Sequence, residues 1–329
     1  MTYCLIGGSG FIGSRLADRL RSTGKDFYIF DKNQSAYHSN MVIIGDVRDL
    51  DRMRSSIKPE SIIIHLAAEH RDDVRPASLY DEVNVGGAKN ICQIAREKNI
   101  NTIVFTSSVA VYGFAQVGAD ENSEIAPFND YGRTKYEAEK ILRAWQNESP
   151  NERTLVIIRP TVVFGEQNRG NVFNLLQQIA SGKFIMVGHG ENRKSMAYVE
   201  NVAAFIEFSS EFKPGTYVYN FIDKPDFTMN QLVSSVQQIL GRQNNSKFRF
   251  PYALGYIIGK LFDLVAAITG KRLMISSIRV KKFCSNSVYN TSIGSTGFVA
   301  PIPLEQALKK TIEHEFIKKN DNKPLYFTE

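Results

Sequence analysis

Tyr131 and Lys135 stand four residues apart in Tyr131-Gly132-Arg133-Thr134-Lys135. Four residues is about one helical turn, so a helix through them carries a phenol and an ammonium on one face. An unperturbed tyrosine, with a pKa of roughly 10, is a poor base at neutral pH. A neighbouring positive charge favours the phenolate and draws it toward a working range. Upstream, Thr106-Ser107-Ser108-Val109-Ala110-Val111-Tyr112-Gly113 closes an apolar run, and Ser108 there suits a hydrogen bond to a substrate hydroxyl that is losing its proton. Ser108, Tyr131 and Lys135 together read as the set that oxidises and reduces a carbinol carbon. The pair alone has little weight, because surface helices produce Tyr-x-x-x-Lys by chance. Its meaning depends on what surrounds it.

What surrounds it is a dinucleotide fingerprint. Thr2-Tyr3-Cys4-Leu5-Ile6 reads as a buried strand, and Phe11, Ile12, Leu16, Ala17 and Leu20 recur at helical spacing. Between them lies Gly7-x-x-Gly10-x-x-Gly13. Glycines in a strand-to-helix turn let the backbone approach a pyrophosphate, which then rests on the free N–H groups of the helix N-terminus. Gly7, Gly10, Phe11, Ile12 and Gly13 are thus candidate cofactor contacts. The next apolar strand, Phe27-Tyr28-Ile29-Phe30, ends in Asp31. An acid there accepts from the adenosine ribose hydroxyls and repels the additional phosphate of NADP, so the cofactor is read as NAD, although Lys32 follows directly. The positive nicotinamide ring would join Lys135 in favouring the Tyr131 phenolate.

Strands and helices alternate through the first half. Strands are expected at 41–44, 61–66, 102–105 and 154–158, with helices near 79–98 and 131–147. Such repeats with continuous apolar strands mean a parallel sheet covered on both faces. The expected fold class is α/β, a Rossmann-type doubly wound parallel sheet with a smaller C-terminal α/β substrate-binding region. The boundary is drawn after residue 165, giving an NAD-binding part at 1–165 and a mainly substrate-binding part at 166–329, some of whose segments return to the first. In the second part helices are expected at 171–179, 201–208 and 230–240, and short strands at 184–187 and 216–220.

At 329 residues, with 43% apolar and 22% charged residues, the composition is that of a soluble globular protein. Cys4, Cys92 and Cys284 form no metal spacing and no even disulfide set, which suits a reducing cytosol, and no metal is expected. A first strand beginning at residue 2 leaves no room for a signal peptide. The net charge of +6 is uneven: from Arg242 to Lys282 there are nine Lys/Arg and one acid, Asp263. That excess points to an anionic partner. No zinc-finger or helix-turn-helix pattern makes it nucleic acid, so diphosphate or anionic lipid is expected. Residues 252–268 are apolar almost all round, interrupted by Lys260 and Asp263 and flanked by Lys247, Arg249, Lys271 and Arg272. The stretch is at the short limit for a membrane span. It reads either as a helix lying in a membrane interface or as a buried helix of the smaller region.

With these residues in view, the chain from residue 2 to about 315 resembles the extended short-chain dehydrogenase/reductases, the nucleotide-sugar epimerase/dehydratase family. The shared features are the glycine turn, Asp31, Gly45-Asp46-Val47, His65-Leu66-Ala67-Ala68, Asn84-Val85 and the Ser108/Tyr131/Lys135 set. Arg159-Pro160-Thr161-Val162-Val163-Phe164-Gly165 and Tyr198-Val199-Glu200-Asn201-Val202 match as well, with Phe164 where tyrosine is usual. The resemblance implies that Asp46 and Val47 hold the adenine, that Ala67 lies near the nicotinamide ribose, and that Leu66 and Ala68 beside it also contact the cofactor. It also implies that Lys135 binds that ribose besides tuning Tyr131. In the 4,6-dehydratases of this family an Asp-Glu pair follows the catalytic hydroxyl residue. Val109 and Ala110 occupy those positions here, so the elimination lacks its proton carriers. A 4-keto reductase would consume reduced cofactor, commonly NADPH, which Asp31 disfavours. A 4-epimerase retains its NAD and fits the site.

Within the family, Ala67-Ala68-Glu69-His70-Arg71-Asp72-Asp73-Val74, Gly165 to Val172, Lys194 to Val199 and Arg279 to Cys284 are similar to the bacterial enzymes that epimerise N-acetylglucosamine linked through diphosphate to undecaprenol. This implies an undecaprenyl-diphospho-sugar substrate for surface polysaccharide (O-antigen) synthesis, with a UDP-sugar as the other possibility. It implies a cytoplasmic enzyme, peripheral on the inner-membrane surface, and a homodimer through the helices near 79–98 and 131–147. Ser108, His70, Arg71, Asn171, Lys194 and Arg279 are the candidate substrate contacts, Lys194 standing where soluble UDP-sugar epimerases carry a diphosphate-contacting Arg. Ser287 falls near the position where a bulky residue excludes the N-acetyl group in some epimerases. The readings kept beside this one are a UDP-N-acetylglucosamine 4-epimerase, a UDP-4-keto-sugar 4-reductase and a non-catalytic NAD-binding sensor, the last of which would be expected to lack part of the Ser/Tyr/Lys set.

Overall fold

The structure, a computed structural model, describes residues 1–71, 74–114, 117–242, 249–269, 276–318 and 323–328, with the side chains of Ala267, Ile268, Arg279 and Lys282 outside that set. In chain order the first half runs β1 (Tyr3–Ile6), α1 (Phe11–Ser22), β2 (Phe27–Asp31), β3 (Val42–Ile44), α2 (Leu50–Ser56), β4 (Ile62–His65) and a short helical turn α3 (Ser78–Tyr80). A π-turn over Asp81–Gly86 leads into α4 (Gly87–Glu97), followed by β5 (Thr102–Thr106), α5 (Asp130–Asn147) and β6 (Thr154–Pro160). The second half continues with β7 (Val162–Phe164), α6 (Asn171–Ala180), β8 (Met186–Val187), β9 (Arg193–Tyr198), α7 (Val199–Ser209), β10 (Gly215–Phe221) and β11 (Asp223–Thr228). It ends with α8 (Met229–Ile239), β12 (Arg249–Phe250), α9 (Tyr252–Thr269), α10 (Ser277–Cys284) and α11 (Leu304–Ile312).

Seven strands form the central sheet in the order β10-β6-β5-β4-β1-β2-β3. Every pairing in it is parallel, as the expected fold class requires. β1, β2, β4 and β6 are buried along their whole length, as strands covered on both faces must be. One face packs on α2, α4 and α5 through Met53, Ile91, Cys92, Ala138, Leu142 and Trp145. The other packs on α1 and α7 through Leu16, Leu20, Val202, Phe205 and Ile206. Cys4 and Cys92 are core residues, and burial pushes both thiols up to about 12.

The strand order reverses between β1 and β4, and ligands of doubly wound sheets bind in the crevice outside the strand ends at such a point. The turn after β1 and the loop after β4 flank it. Beyond β6 the chain builds a three-stranded sheet, β11-β9-β7, under α6, α8 and α11 around Phe164, Leu176, Tyr198, Leu232 and Leu308. β10, by contrast, returns to the edge of the central sheet, pairing with β6 from Gly215↔Thr154 to Phe221↔Pro160. The stretch at 252–268 forms a helix that is not buried: Leu254, Ile257, Leu261 and Leu264 are 50%, 55%, 58% and 59% exposed. Its other side is anchored on α10, where Asp263 accepts from the Ser277 hydroxyl at 2.5 Å and a Cβ on Gly259 would collide with the Ser277 backbone. The buried-helix alternative is therefore set aside.

Candidate active site

The cofactor turn is built as its glycines demand. Gly7 has φ +82°, and a Cβ there would stand 2.5 Å from the backbone nitrogen of Ala67. A Cβ on Gly13 would stand 2.5 Å from the Gly8 carbonyl oxygen, so Gly13 is what lets α1 approach the turn. Gly10 differs: an added Cβ would meet only the Gly7 oxygen, at an ordinary 3.5 Å. The turn is closed on its protein side and open at Gly10, the shape a pyrophosphate needs, with Phe11, Ile12 and Gly13 in the first helical turn behind it. Asp31 ends β2 with one carboxylate oxygen accepting from Ser9 N at 3.0 Å and the other from Asn33 N at 2.8 Å. Burial lifts its pKa against the pull of those N–H groups. Leu66 and Ala67 both donate to the Ile6 carbonyl, holding the loop Leu66–Ala68 against the glycine turn.

Asp46 and Val47 lie on this side as well. Arg48 grips the Asp46 carboxylate at 2.7 and 3.0 Å and lowers its pKa, which leaves an ionised acceptor at the crevice edge. Val47 is buried, packed under Gly87, and its carbonyl accepts from Asn90. This donor and acceptor set fits an adenine dinucleotide.

The catalytic candidates converge. Ser108, in extended backbone at the end of β5, caps the 3₁₀ turn Val109–Tyr112, its hydroxyl oxygen accepting from Ala110 N at 3.1 Å. Asn129 caps α5 by accepting from Gly132 N, which sets Tyr131 in the first turn of that helix. Ser108 stands close enough to Tyr131 to lower the pKa of its phenol. Lys135, one turn on, is 2% exposed, with its ammonium 4.5 Å from the Phe105 ring centroid. The electrostatics differ from the sequence expectation. Burial raises the Tyr131 pKa and the Ser108 hydrogen bond only partly offsets it. Burial also draws Lys135 down to about 7. Burial thus disfavours the charged form of both groups, and the groups that work against it are Ser108 at Tyr131 and Glu139 at Lys135.

The substrate candidates are spread over three segments. His70 and Arg71 are exposed on the loop after β4, the His70 ring 3.5 Å from the Ala68 carbonyl and the Arg71 carbonyl accepting from Tyr80. Asp72 and Asp73 lie outside the described residues. Asn171 is exposed at the start of α6. Lys194, on β9, is half-buried and donates to the Ser285 carbonyl at 2.8 Å and to the Ser287 hydroxyl at 3.4 Å, and burial brings its pKa down to about 8. Arg279 belongs to α10, its side chain outside the described residues. The strand carrying Lys194 reaches the catalytic turn through Tyr289: Ser195 accepts from Tyr289 N, and the Tyr289 ring lies 6.1 Å from that of Tyr112.

Three sets of contacts are not legible in the sequence, although Asn84 and Arg159 belong to its matching motifs. Asn84, in the π-turn, clamps the loop after β4 to α5: its amide exchanges two bonds with the Glu69 backbone and donates to Thr134. Glu139 and Arg159 form a fully buried ion pair beneath the catalytic turn. Glu139 sits one turn beyond Lys135 on the stripe of Ala138, Leu142 and Trp145, and a charge on so apolar a face was the available signal. Residues 323–328 run back over the cofactor turn, where the Tyr326 hydroxyl donates to Ser14 at 2.7 Å and its ring lies 5.7 Å from that of Phe11.

A sequence profile described as the NAD dependent epimerase/dehydratase family matches residues 3–220. The chain is 49% identical, over 96% of both chains, to the N-acetyl-alpha-D-glucosaminyl-diphospho-ditrans,octacis-undecaprenol 4-epimerase of Escherichia coli O157:H7. It is 26% identical to the UDP-glucose 4-epimerase of Vibrio cholerae, again over 96% of both. Among solved structures, the Thermus thermophilus UDP-glucose 4-epimerase in complex with NAD superposes with a TM-score of 0.71 at 19% identity, over 95% of this chain and 98% of that one, a likeness of fold. The chain belongs to the NAD dependent epimerase/dehydratase family.

Proposed function

We propose that this protein is an NAD-dependent 4-epimerase that interconverts N-acetylglucosamine and N-acetylgalactosamine while the sugar is carried on undecaprenyl diphosphate. The observation that carries the reading is the convergence of Ser108 on Tyr131, with Lys135 one turn along the same helix. It occurs in a chain 49% identical to an enzyme named for that reaction. Gly7, Gly10, Phe11, Ile12 and Gly13 would hold the pyrophosphate of NAD, Asp31 the adenosine ribose, Asp46 and Val47 the adenine, and Leu66, Ala67, Ala68 and Lys135 the nicotinamide ribose. NAD, when bound, supplies the hydride acceptor and donor for C4 and a positive ring that completes what Lys135 alone does not achieve at Tyr131.

The chain's own residues handle the proton. The Tyr131 phenolic oxygen takes it from the sugar 4-hydroxyl and returns it in the second half-reaction, while the Ser108 hydroxyl donates to the same sugar oxygen. Between the half-reactions the sugar turns about its bonds to the diphosphate and presents its other face. His70, Arg71 and Asn171 would border the sugar. Lys194 and Arg279 would meet the diphosphate, whose charge restores to the half-buried Lys194 ammonium what burial removes. Residues 1–165 thus carry the cofactor and residues 166–329 mainly the substrate.

A prenyl chain does not fit a nucleotide crevice, so the lipid would stay in the bilayer while its sugar diphosphate enters. No helix of the described residues is long and apolar enough to cross a membrane. The exposed face of α9 would instead lie in the cytoplasmic membrane interface, assisted by Arg249 and Lys260; Lys247, Lys271 and Arg272 lie outside the described residues. The family resemblance adds a homodimer through α4 and α5, which analytical ultracentrifugation tests.

The deciding assay offers the purified protein undecaprenyl-diphospho-N-acetylglucosamine in detergent and, separately, UDP-N-acetylglucosamine, with no added cofactor. The sugar released by acid is then checked for N-acetylgalactosamine. Conversion of the lipid-linked substrate alone is expected. Conversion of the UDP-sugar alone transfers the reading to a soluble epimerase. Turnover only of a UDP-4-keto sugar with reduced cofactor replaces it with a reductase.

A further inference from the structure

Beneath the catalytic turn, one buried carboxylate ties together every segment that carries a catalytic group. The Glu139 carboxylate receives a two-pronged contact from Arg159, Nε to Oε1 at 2.9 Å and Nη2 to Oε2 at 2.6 Å. The Ser107 hydroxyl donates to the same Oε1 at 2.5 Å. Arg159 then donates from Nη1 to the Tyr112 hydroxyl at 2.8 Å, and Tyr112 donates to Asn220 Oδ1 at 2.8 Å. Asn220 in turn donates to the Asn290 carbonyl at 2.9 Å and accepts, through its own carbonyl, from Thr291. The Glu139 and Arg159 side chains are 0% and 3% exposed. This network joins α5, which bears Tyr131 and Lys135, to both ends of the turn Ser107–Tyr112, which bears Ser108, and to the 285–292 segment that contacts Lys194.

A buried ion pair is a poor device for stability alone, because apolar residues of the same volume often do as well. What it adds is geometry: a bidentate Arg–carboxylate pair fixes two elements in both distance and plane. Reactive groups misplaced by about 1 Å can lose on the order of a hundredfold in rate. We infer that Glu139 is a positioning residue, which through Arg159 and Ser107 holds the Ser108 turn in register with Tyr131 and Lys135. The inference rests on the epimerase reading above for its kinetic readout.

The groups facing Lys135 are Glu139 on its own helix, the Phe105 ring, His65 at the end of β4 and His70 on the loop beyond. His65 is fully buried, and burial and Lys135 hold it neutral, down to about 3. Glu139 is the charge that supports the Lys135 ammonium. Its loss therefore moves the Lys135 titration to lower pH, a mark that the charge has gone, while a fall in kcat at unchanged KM reports the lost positioning.

The test uses the holoenzyme and the substrate that the wild type turns over; a wild type that epimerises neither substrate overturns the epimerase reading rather than this one. Glu139→Gln keeps the volume and removes the charge. The expected result is retained NAD, a KM within twofold, a kcat reduced ten- to a hundredfold, and a lower midpoint for the Lys135 ¹³Cε resonance. Ser107→Ala and Tyr112→Phe each remove one hydroxyl and are expected to reduce kcat three- to tenfold at unchanged KM. A folded Glu139→Gln with kcat within twofold of wild type, or with KM raised as far as kcat falls, overturns the inference. If Glu139→Gln does not fold, unchanged kcat in both hydroxyl variants overturns it equally.

Discussion

The helix α5 and the helix α9 meet the same physical problem in opposite ways. Each has 18 residues. On α5 the inward face carries Lys135 and Glu139 among Ala138, Leu142 and Trp145, and its buried carboxylate has a partner for each oxygen. On α9 the polar Asp263 is used for the internal anchor on α10, while a row of leucines and isoleucines faces outward. One helix brings charge inside and satisfies it; the other puts hydrocarbon outside and leaves it uncovered. Exposed apolar side chains gathered on one helix call for something apolar beyond the chain, whereas a satisfied buried network is complete in itself. The difference separates a part whose polar groups are fixed by bonds within the chain from a part whose exposed hydrocarbon the described residues leave bare.

The comparison is broken most severely at Tyr131. Tyr131→Phe removes the proton carrier and is expected to reduce epimerisation by about 10²–10⁴-fold, the scale of a lost general base, while bound NAD and vesicle binding are unchanged. Activity near wild type would show that α5 is not the catalytic helix. At the other pole, Leu261→Glu with Leu264→Glu places charges on the two most exposed leucines of α9. Each buried leucine is worth about 1.5–3 kcal/mol, so co-sedimentation with anionic vesicles should drop at least tenfold, with melting temperature and cofactor content retained. Equal co-sedimentation would leave the exposed face of α9 without its assigned partner. Asp31→Ser tests the cofactor side: losing hydrogen bonds to a charged acceptor, about 1.5–3 kcal/mol, should lower NAD retained through purification roughly tenfold and raise the relative uptake of NADP. An unaltered NAD-to-NADP ratio would remove Asp31 from the discriminating role. The smallest effect is expected at Arg133, next to Thr134 but on the outer side of α5, where it pairs with Asp81 at 2.7 Å in solvent. Arg133→Ala should cost no more than about 1 kcal/mol of stability and leave turnover within twofold. A larger loss would mean that the outer face of α5 is less idle than its exposure indicates.

Much of this organisation can be read without coordinates. The glycine spacing, Asp31 and the Tyr131–Lys135 interval are local patterns whose geometry follows from helical and strand periods, and the parallel sheet follows from apolar runs buried on both sides. Strands β9 and β11 are different. Arg193-Lys194-Ser195 and Asp223-Lys224-Pro225-Asp226 have neither alternation nor apolar continuity, and they become strands because they pair with each other across some 30 residues. The return of β10 to the edge of the central sheet is equally non-local. On α9 the periodicity was silent for another reason: a helix apolar all round looks the same whether it is buried or bare, and only neighbouring elements decide. The basicity of Tyr131 could not be read either, since it depends on how far burial outweighs Ser108. Glu139 was passed over because a lone acid on an apolar stripe gains its meaning from Arg159, 20 residues on in another element.

The segment at 323–328 lies against the first turn of α1, with Tyr326 bonded to Ser14 over a separation of 312 residues. A ribosome adds roughly 5–20 residues per second, so about a quarter of a minute to a minute passes between making the turn and making its cover. During translation the first turn of α1 is therefore made without the contacts that hold it in the finished chain. Residues made late fasten the start of a helix made early, so the two ends of synthesis meet at one turn.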